Sequence, residues 1–214
     1  MTELEMQNLN IFMMCEALNP AALRDIPEGY TIRTCRPDEL DIWKGFPFDA
    51  EADRVACSNF MSTYFDQVYG PHGSKFYDVC LFLCDMDNRP VATCFAWKAY
   101  GCFTTIHWFK VRKELEDRGL GRAMLSEGMR CIAPEDYPVY LHTQAGSYRA
   151  IHLYRDFGFS ILTDPIIGTR NNQFDQSVPY LQCAMGEERF TRLRFTCSDG
   201  RFSNAAVQHS IIEF

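Results

Sequence analysis

The alternation of strands and helices between residues 104 and 157 constrains the fold of this chain more than any other feature of its sequence. Thr104–Val111 and Pro138–Thr143 are rich in β-branched and aromatic residues, which predicts two strands. Apolar spacing predicts a helix over Gly121–Cys131 between them, and a second helix over Ser147–Phe157. Two strands joined through a helix lie parallel in one sheet. The chain therefore has to pack helices on a sheet that contains a parallel pair.

The other predicted elements make the rest of the sheet antiparallel. Val79–Cys84 and Val91–Lys98 are strands joined by a turn rich in Asp and Asn, which is typical of a hairpin. Three further strands are predicted, at Tyr30–Cys35, Phe159–Leu162 and Tyr180–Ala184. Two further helices are predicted, from Arg36 toward Trp43 and over Asp49–Tyr69. Leu9–Cys15 is almost wholly apolar and fits a strand or a short helix, and residues 185–214 carry no clear pattern.

Composition and charge exclude several classes of protein. The chain has 214 residues, of which 47% are hydrophobic, and it carries 21 Lys and Arg against 28 Asp and Glu, a net charge of −7. A chain of this length and composition fits one folded domain and excludes a disordered protein. An acidic chain lacks the basic footprint that nucleic-acid binding requires. We therefore expect one domain with no nucleic-acid partner.

Targeting and metal-binding patterns are missing from the sequence. No run approaches the roughly 18 apolar residues of a membrane-spanning helix. Residues 1–10 contain Glu3 and Glu5 but no Lys or Arg, unlike a signal or transit peptide. The 10 cysteines are scattered without a CxxC pair, which favours reduced thiols over disulfides or a zinc site. These features predict a cytoplasmic protein with no membrane partner and no metal.

A polar loop with two glycines joins the strand that ends at Val111 to the helix that follows. Gly119 and Gly121 let a ligand approach the backbone, and N–H groups converge at the helix N-terminus, where the helix dipole adds positive charge. Arg118 and Arg122 can add cationic contacts. Such an arrangement binds a phosphate or pyrophosphate, but two glycines alone are more typical of an ordinary turn. The loop matches neither a P-loop nor a dinucleotide-binding fingerprint.

In its context, this loop resembles the coenzyme A pyrophosphate loop of the GNAT superfamily, the acyl-CoA-dependent N-acyltransferases. That family typically reads V-x-P-E-x-R-G-x-G-x-G before a helix of the type R-A-L-L. The residues that fall in register are Val111, Glu114, Gly119, Leu120, Gly121, Arg122, Ala123 and Leu125. Lys113 stands where Pro is usual, Glu116 replaces Gln or Arg, and Asp117 replaces a Gly. A second register, which starts R-x-x-G at Arg118, is also open, but only the first aligns the strand-ending valine and the helix.

A second segment is similar to the same family. Leu141–Phe159 resembles its N-x-x-A-x-x-L-Y-x-x-x-G-F segment. The matching residues are Ala150, Leu153, Tyr154, Gly158 and Phe159. Ser147 stands where the family often has Asn, and a serine can cap the helix. The resemblance makes residues 30–165 the acetyltransferase core, residues 1–29 an N-terminal extension, and residues 166–214 C-terminal strands and a tail of the same domain.

The resemblance implies a GNAT-like α/β (α+β) fold. Its central sheet is mixed, mostly antiparallel and flanked by helices, and its parallel strands 4 and 5 are splayed around coenzyme A (CoA). Acetyl-CoA is the implied co-substrate, and the backbone of Phe109, Lys110 and Val111 would pair with its pantetheine arm. The other residues implied to hold it are Glu116, Asp117, Arg118, Gly119, Leu120, Gly121, Arg122, Ala123, Ser147 and Tyr154.

Two residues are candidates for proton transfer. The resemblance makes Tyr154 the acid that protonates the CoA sulfur, and a phenol with its usual pKa of about 10 is protonated at neutral pH. His107 is the candidate base, because it lies four residues before Val111, on the same face of a regular strand, and an ordinary imidazole has a pKa of about 6.5. A buried helix tyrosine and a hydrogen-bonded strand histidine are the purely structural interpretations.

The implied function is an N-acetyltransferase that moves an acetyl group from acetyl-CoA to an amine of a small molecule or peptide by direct attack. A catalytically silent module that binds CoA or acyl-CoA is the alternative, favoured by the substitutions at Glu116, Asp117 and Ser147. An unrelated α/β protein that happens to carry Gly119 and Gly121 is a third. A monomer and a homodimer are both compatible with the sequence.

Overall fold

The computed structural model describes residues 1–209 and 211–213, and a mixed sheet is its central element. In chain order the strands are β1 (Asn10–Cys15), β2 (Thr31–Thr34), β3 (Leu81–Cys84), β4 (Pro90–Ala99), β5 (Phe103–Val111), β6 (Val139–Gln144), β7 (Phe159–Leu162), β8 (Ile166–Ile167), β9 (Arg170–Asn171) and β10 (Phe195–Thr196). Eight of these form the main sheet in the order β10, β7, β1, β6, β5, β4, β3, β2, and β8 pairs with β9 alone.

Helices cover both faces of this sheet. They are α1 (Glu3–Gln7), α2 (Leu40–Gly45), α3 (Glu51–Val68), α4 (Lys75–Val79), α5 (Leu120–Arg130), α6 (Tyr148–Phe157), α7 (Phe174–Met185), α8 (Glu187–Phe190) and α9 (Gly200–Gln208). On one face, α5, α6 and α7 contribute residues such as Met124, Phe157 and Leu181 to an aliphatic core. On the other, α2 and α3 pack an aromatic cluster that includes Trp43 and Phe65. None of the described helices is long and apolar enough to cross a membrane.

The predicted mixed α/β fold is confirmed, including its parallel pair. β5 and β6 run parallel, whereas β2 to β5 are antiparallel neighbours. Most predicted elements lie within a few residues of their observed bounds, except that α4 occupies residues 75–79, where the sequence showed no helix. As a result Val79 ends a helix, and the first strand of the hairpin begins at Leu81.

The apolar segment near the N-terminus is a strand in the interior of the sheet. β1 pairs antiparallel with β6 over its whole length, from Asn10↔Gln144 to Cys15↔Val139, and with β7 on its other edge. Ile11 to Cys15 are all buried, because helices cover both faces of the sheet here. A strand buried on both faces shows no alternation of polar and apolar residues, and so its pattern could not distinguish a strand from a helix.

The strand predicted at Tyr180–Ala184 is wrong, because these residues lie within α7. The residues of α7 that are buried, Phe174, Ser177, Leu181 and Met185, recur every three or four positions, as on one face of a helix. Pro179 inside the helix hid this periodicity, since proline normally ends a helical pattern. The unassigned residues 185–214 contain α8, β10 and α9, and β10 adds a second parallel pair beside β7, while residues 210 and 214 lie outside the described residues.

Candidate functional site

The two parallel strands separate and leave a cavity between them. β5 and β6 pair only at Thr105↔Tyr140 and Ile106↔Leu141. Past these pairs β5 stays beside β4, and β6 stays beside β1, which draws the strands apart. A cavity of about 820 Å³ opens in the gap. The residues that line it include Ile106 to Lys110, Leu141 to Gln144, Ser147, Ala150 and Tyr154, as well as Phe48, Phe60, Tyr64, Arg170, Ile212 and Glu213.

A β-bulge lies in β5 where the strands begin to separate. Thr93 pairs with Lys110 and Phe95 with His107, so that Cys94 alone faces two residues of β5. Trp108, one of these two, has a φ of 49°, which is uncommon for a bulky residue. The bulge resets the alternation of side chains along the strand. His107 therefore contacts the aromatic cluster on the α3 side, whereas Val111 packs in the core beneath α5.

The expectation that His107 and Val111 share one face is therefore wrong. In a regular strand, residues four apart point to the same side. The bulge inserts one residue between His107 and Val111, and this reverses their relation. No residue at this point of the sequence signals the bulge, since tryptophan is not a residue that favours a positive φ.

The glycine loop after β5 has the backbone geometry of an anion cradle. Asp117 and Gly119 both adopt left-handed conformations, with φ of 61° and 79°, and α5 starts at the next residue, Leu120. A Cβ on Gly119 would meet no atom within 4 Å, so the space above this residue is open. Asp is among the few residues that tolerate a left-handed φ, which explains how Asp117 stands where the family has Gly.

The cradle adjoins the cavity through the end of β5. A Cβ on Gly121 would lie 3.4 Å from the Phe109 ring and 3.5 Å from the Val111 side chain, in ordinary van der Waals contact with the end of β5. The side chains of Leu120 and Ala123 are buried in the core, and the Ala123 N–H donates to the Gly119 carbonyl at 3.1 Å as the first helical bond of α5. Phe109 and Lys110 line the cavity itself, and Lys110 Nζ lies 2.9 Å from Asp49 Oδ2.

The charges around the cradle differ from those expected. Arg122 forms an ion pair with Asp156, at 2.6 Å between Nη2 and Oδ2, and is thereby directed toward α6. Arg149, which the sequence did not single out, has Nη1 3.3 Å from Glu116 Oε2 and 3.4 Å from Asp117 Oδ2. The two acidic residues of the loop therefore share a cationic partner from the N-terminal end of α6.

Tyr154 lines the cavity, and its ring is held between two other aromatic residues. Its ring packs between Phe109 and Phe159, with centroids 5.7 and 5.8 Å away, and the residue lines the cavity. None of the described residues forms a hydrogen bond with its hydroxyl, and burial raises the pKa of Tyr154 well above its usual value. The phenol is therefore a proton-bearing donor at neutral pH. Ser147 also lines the cavity, but it does not make the expected helix-capping bond.

His107 is buried and tied to two other side chains. Its Nδ1 lies 2.5 Å from the Tyr69 hydroxyl, which also accepts a hydrogen bond from Trp108 Nε1 at 2.9 Å. Its Nε2 is buried without a partner among the described residues, a situation that costs about 1–3 kcal/mol. Burial lowers the pKa of His107 to about 3, so the expected ordinary pKa is wrong and the ring is neutral at pH 7.

A second histidine faces the same cavity from β6. His142 Nε2 lies 2.9 Å from Arg170 Nη2 and 3.0 Å from Asn10 Oδ1, and its ring packs on Phe12. Burial first, and the charge of Arg170 second, lower the pKa of His142 to about 3. Neither histidine is therefore charged at neutral pH. Within the described residues, no group of three or more His, Cys, Asp or Glu side chains is arranged to hold a metal ion.

A comparison with models of known protein families identifies the family of this chain. The model of the acetyltransferase (GNAT) family matches residues 46–159, more than half of the chain. The chain belongs to the acetyltransferase (GNAT) family. The matched range includes the separated strands β5 and β6, the glycine cradle and Tyr154. Acetyltransferases of the GNAT family use acetyl-CoA and acetylate amines, and the open space at Gly119 and the unpartnered hydroxyl of Tyr154 fit such a ligand.

Solved structures of GNAT proteins share this fold. A GCN5-related N-acetyltransferase from Sphaerobacter thermophilus has a TM-score of 0.51 and 25% identity, covering 72% of this chain and 49% of its own. A GNAT-family acetyltransferase from Colwellia psychrerythraea has a TM-score of 0.52 and 13% identity, and the match covers 72% of this chain and 53% of that protein. A tandem GNAT protein from the clavulanic acid biosynthesis pathway has a TM-score of 0.51 and 11% sequence identity. The match covers 71% of this chain and 50% of that protein. The chain thus spans about half the length of these proteins. Among curated proteins none matches it.

Proposed function

We propose that this chain is an N-acetyltransferase that moves an acetyl group from acetyl-CoA to an amine of a small molecule or peptide. The observation that carries the proposal is the separation of β5 and β6 around a cavity that the Tyr154 side chain lines. The glycine cradle adjoins one end of the same gap. A donor with a phosphate end and a reactive end needs both features in one continuous site.

The cofactor half of the site is built mainly from backbone. The free edge of β5 at Phe109, Lys110 and Val111 offers N–H and C=O groups that can pair with the amides of the pantetheine arm, as an added strand would. The pyrophosphate fits over the cradle at residues 116–123, where left-handed residues and the start of α5 converge their N–H groups. Arg118 and the Ser147 hydroxyl are the side chains that can add contacts there.

The reaction is a direct transfer between two bound substrates. The amine nitrogen attacks the thioester carbonyl carbon, a C–N bond forms and the C–S bond breaks. The Tyr154 hydroxyl donates to the departing sulfur, while the attacking nitrogen loses one proton to solvent. Burial raises the pKa of Tyr154, so the hydroxyl keeps its proton at neutral pH until negative charge develops on the departing sulfur, and solvent returns the proton to Tyr154 afterwards. Holding both reactants in one cavity supplies much of the rate.

The acceptor half of the cavity is lined by side chains. Phe60 and Tyr64 from α3, together with Trp108, form an aromatic wall, and Glu213 lines the cavity with a carboxylate that accepts a hydrogen bond from the Tyr100 N–H at 3.1 Å. The backbone O of Glu213 accepts a hydrogen bond from the Tyr64 hydroxyl at 3.0 Å, which ties this segment to the wall. A carboxylate beside aromatic rings suits an amine that carries an apolar body.

Two measurements test the proposed function. Calorimetry with CoA and acetyl-CoA first establishes whether the cavity binds the donor, and thiol release from acetyl-CoA with a library of amines then tests turnover. We expect binding of both thiol forms and amine-dependent release. Binding without release by any amine would support the silent CoA-binding module, and absence of binding would reject both functions.

A further inference from the structure

Trp108, Tyr69 and His107 form a chain of hydrogen bonds whose direction is fixed at its first member. An indole nitrogen can only donate, so Trp108 Nε1–H donates to the Tyr69 oxygen at 2.9 Å. The Tyr69 oxygen lies 2.5 Å from His107 Nδ1, so the Tyr69 proton can be donated to this nitrogen. When Nδ1 accepts this proton, a neutral imidazole ring carries its own proton on Nε2.

The bulge in β5 is what brings these groups together. It places the successive side chains of His107 and Trp108 on the same face of the sheet, so that both reach the hydroxyl of Tyr69. Tyr69 itself is fully buried at the C-terminal end of α3, with its ring against Trp43 and Trp97. Because Tyr69 is fully buried, its hydroxyl proton has to be donated to a neighbouring side chain rather than to bulk water.

The free N–H of His107 lies at the point where the two strands separate. His107 directly follows Ile106, the last residue of β5 that pairs with β6, and it lines the cavity. Nε2 has no partner among the described residues. The groups packed on the ring are Tyr69 at the end of α3 and Phe95 from β4, neither of which is charged. The other titratable or charged groups that line the same cavity are His142 from β6, Arg170 from β9, Lys110 from β5, Tyr64 from α3, Tyr154 from α6, and Glu213.

We propose that Tyr69 and Trp108 are positioning residues that hold His107 as a neutral Nε2–H donor, and that this N–H binds the oxygen of the transferred acyl group. The identity of the acyl ligand rests on the proposed function. In this role His107 donates to the carbonyl oxygen as negative charge develops on it, and the amine proton leaves by another route. The competing arrangement has Tyr69 donating to Tyr64, which would move the His107 proton to Nδ1 and leave Nε2 as a base. In that arrangement the Tyr64 hydroxyl, which donates to the Glu213 carbonyl, would accept from Tyr69, whose ring centroid lies 5.7 Å from that of Tyr64.

Nitrogen-15 NMR of the full chain with labelled histidine tests the tautomer directly, with His107→Gln assigning the signal. We expect a protonated Nε2 and an unprotonated Nδ1 that do not change between about pH 5 and 9. Tyr69→Phe should introduce the Nδ1–H tautomer, because the donor to Nδ1 is lost. Tyr77→Phe is a matched control, since Tyr77 packs against the same aromatic cluster without touching His107, and it should leave the signal unchanged. A signal that titrates in this range, or a wild-type ring protonated on Nδ1, would overturn the assignment.

Kinetics with the best amine then test whether the donor acts in the reaction. Tyr69→Phe should lower kcat about tenfold, with little change in the KM for acetyl-CoA, while Tyr77→Phe keeps the wild-type rate. His107→Gln retains an N–H donor and should keep more activity than His107→Ala, with the wild-type pH profile. Equal rates for the two His107 variants, or a pH profile altered by Gln, would refute the donor role. The NMR result stands without any turnover, so a locked tautomer in a protein that acetylates nothing would reject the proposed function alone.

Discussion

The two halves of the cavity are built in different ways. The cofactor half is a free strand edge, the loop residues Glu116 to Gly119 and the first turn of α5, and its geometry rests on φ values at Asp117 and Gly119. The acceptor half is assembled from side chains of α3, β5, β6, the β9 hairpin and the segment 211–213. The first half is contiguous in sequence, whereas the second joins residues that are more than a hundred positions apart, such as Tyr64 and Glu213.

This difference determines which half a sequence pattern can describe. A backbone site needs residues that permit a conformation, and these leave a short motif with glycines at fixed spacing. A side-chain site needs groups that meet only after folding, and these leave no local spacing at all. The contrast predicts that substitutions in the first half act through backbone conformation and space, and those in the second half through protons and hydrogen bonds.

The largest effect should come from filling the cradle. Gly119→Leu places a side chain in the open space above the loop, and we expect the Kd for CoA to rise by at least about a hundredfold, measured by calorimetry. Gly101→Leu is a matched control, because Gly101 also has a positive φ and open space on the side where a Cβ would lie, but it belongs to the β4–β5 turn. Both substitutions should cost a similar free energy of unfolding, about 1–2 kcal/mol. Unchanged CoA affinity in folded Gly119→Leu would show that the phosphates bind elsewhere.

Removing the phenolic proton donor should have the next largest effect. Tyr154→Phe keeps the ring between Phe109 and Phe159 but removes the hydroxyl, and we expect kcat to fall about a hundredfold with little change in acetyl-CoA affinity. Thiol-release assays measure kcat, and calorimetry measures the affinity for acetyl-CoA. If turnover stays at the wild-type level with a good acceptor, Tyr154 has a packing role only. A loss of affinity that equals the loss of rate would place its effect on donor binding instead.

The two histidines of the acceptor half should make the stability of the protein decrease at acidic pH. The pKa values of His107 and His142 are both lowered to about 3 in the folded protein, against about 6.5 in the unfolded chain. The unfolded state therefore binds more protons between these values, and the free energy of unfolding falls with decreasing pH by about 1.4 kcal/mol per pH unit for each histidine. Urea unfolding at pH 5.0, 5.5 and 7.5 measures this slope. His107→Gln and His142→Gln should each reduce the pH slope of the unfolding free energy by the contribution of one histidine. A slope that neither variant changes would contradict the lowered pKa values of these two residues.

The smallest effect should come from the charges at the rim of the cradle. Arg149→Gln leaves Glu116 and Asp117 without their shared cation, and we expect CoA affinity to fall only two- to fivefold, because all three groups are exposed to solvent. Adding Glu116→Gln and Asp117→Asn to that variant should restore the affinity at low salt. Failure of the triple variant to recover would mean that Arg149 contacts the ligand directly rather than through the acidic pair.

The position of the glycine cradle between β5 and α5 could be predicted from the sequence. Val111 ends β5, Gly119 precedes α5, and the family pattern placed both, because each depends on residues within the loop itself. The substitution of Gly by Asp at 117 was visible in the sequence, but its left-handed φ was not. The apolar run at Ile11 to Cys15 lacked alternation for a physical reason, its burial on both faces, and no local pattern could have placed it between β6 and β7.

The strands β5 and β6, the helix that follows each of them and the loop that can hold a phosphate were predictable, because each depends mainly on residues close in the chain, and a strand–helix–strand order implies that the two strands run parallel. The chemistry around His107 could not be predicted in this way. Its face depends on a bulge against Cys94, and its low pKa on burial under the aromatic cluster. Its proton position depends on Tyr69, which lies 38 residues away in sequence. Protonation and hydrogen bonding respond to every neighbour in space, and those neighbours are chosen only when the whole chain folds.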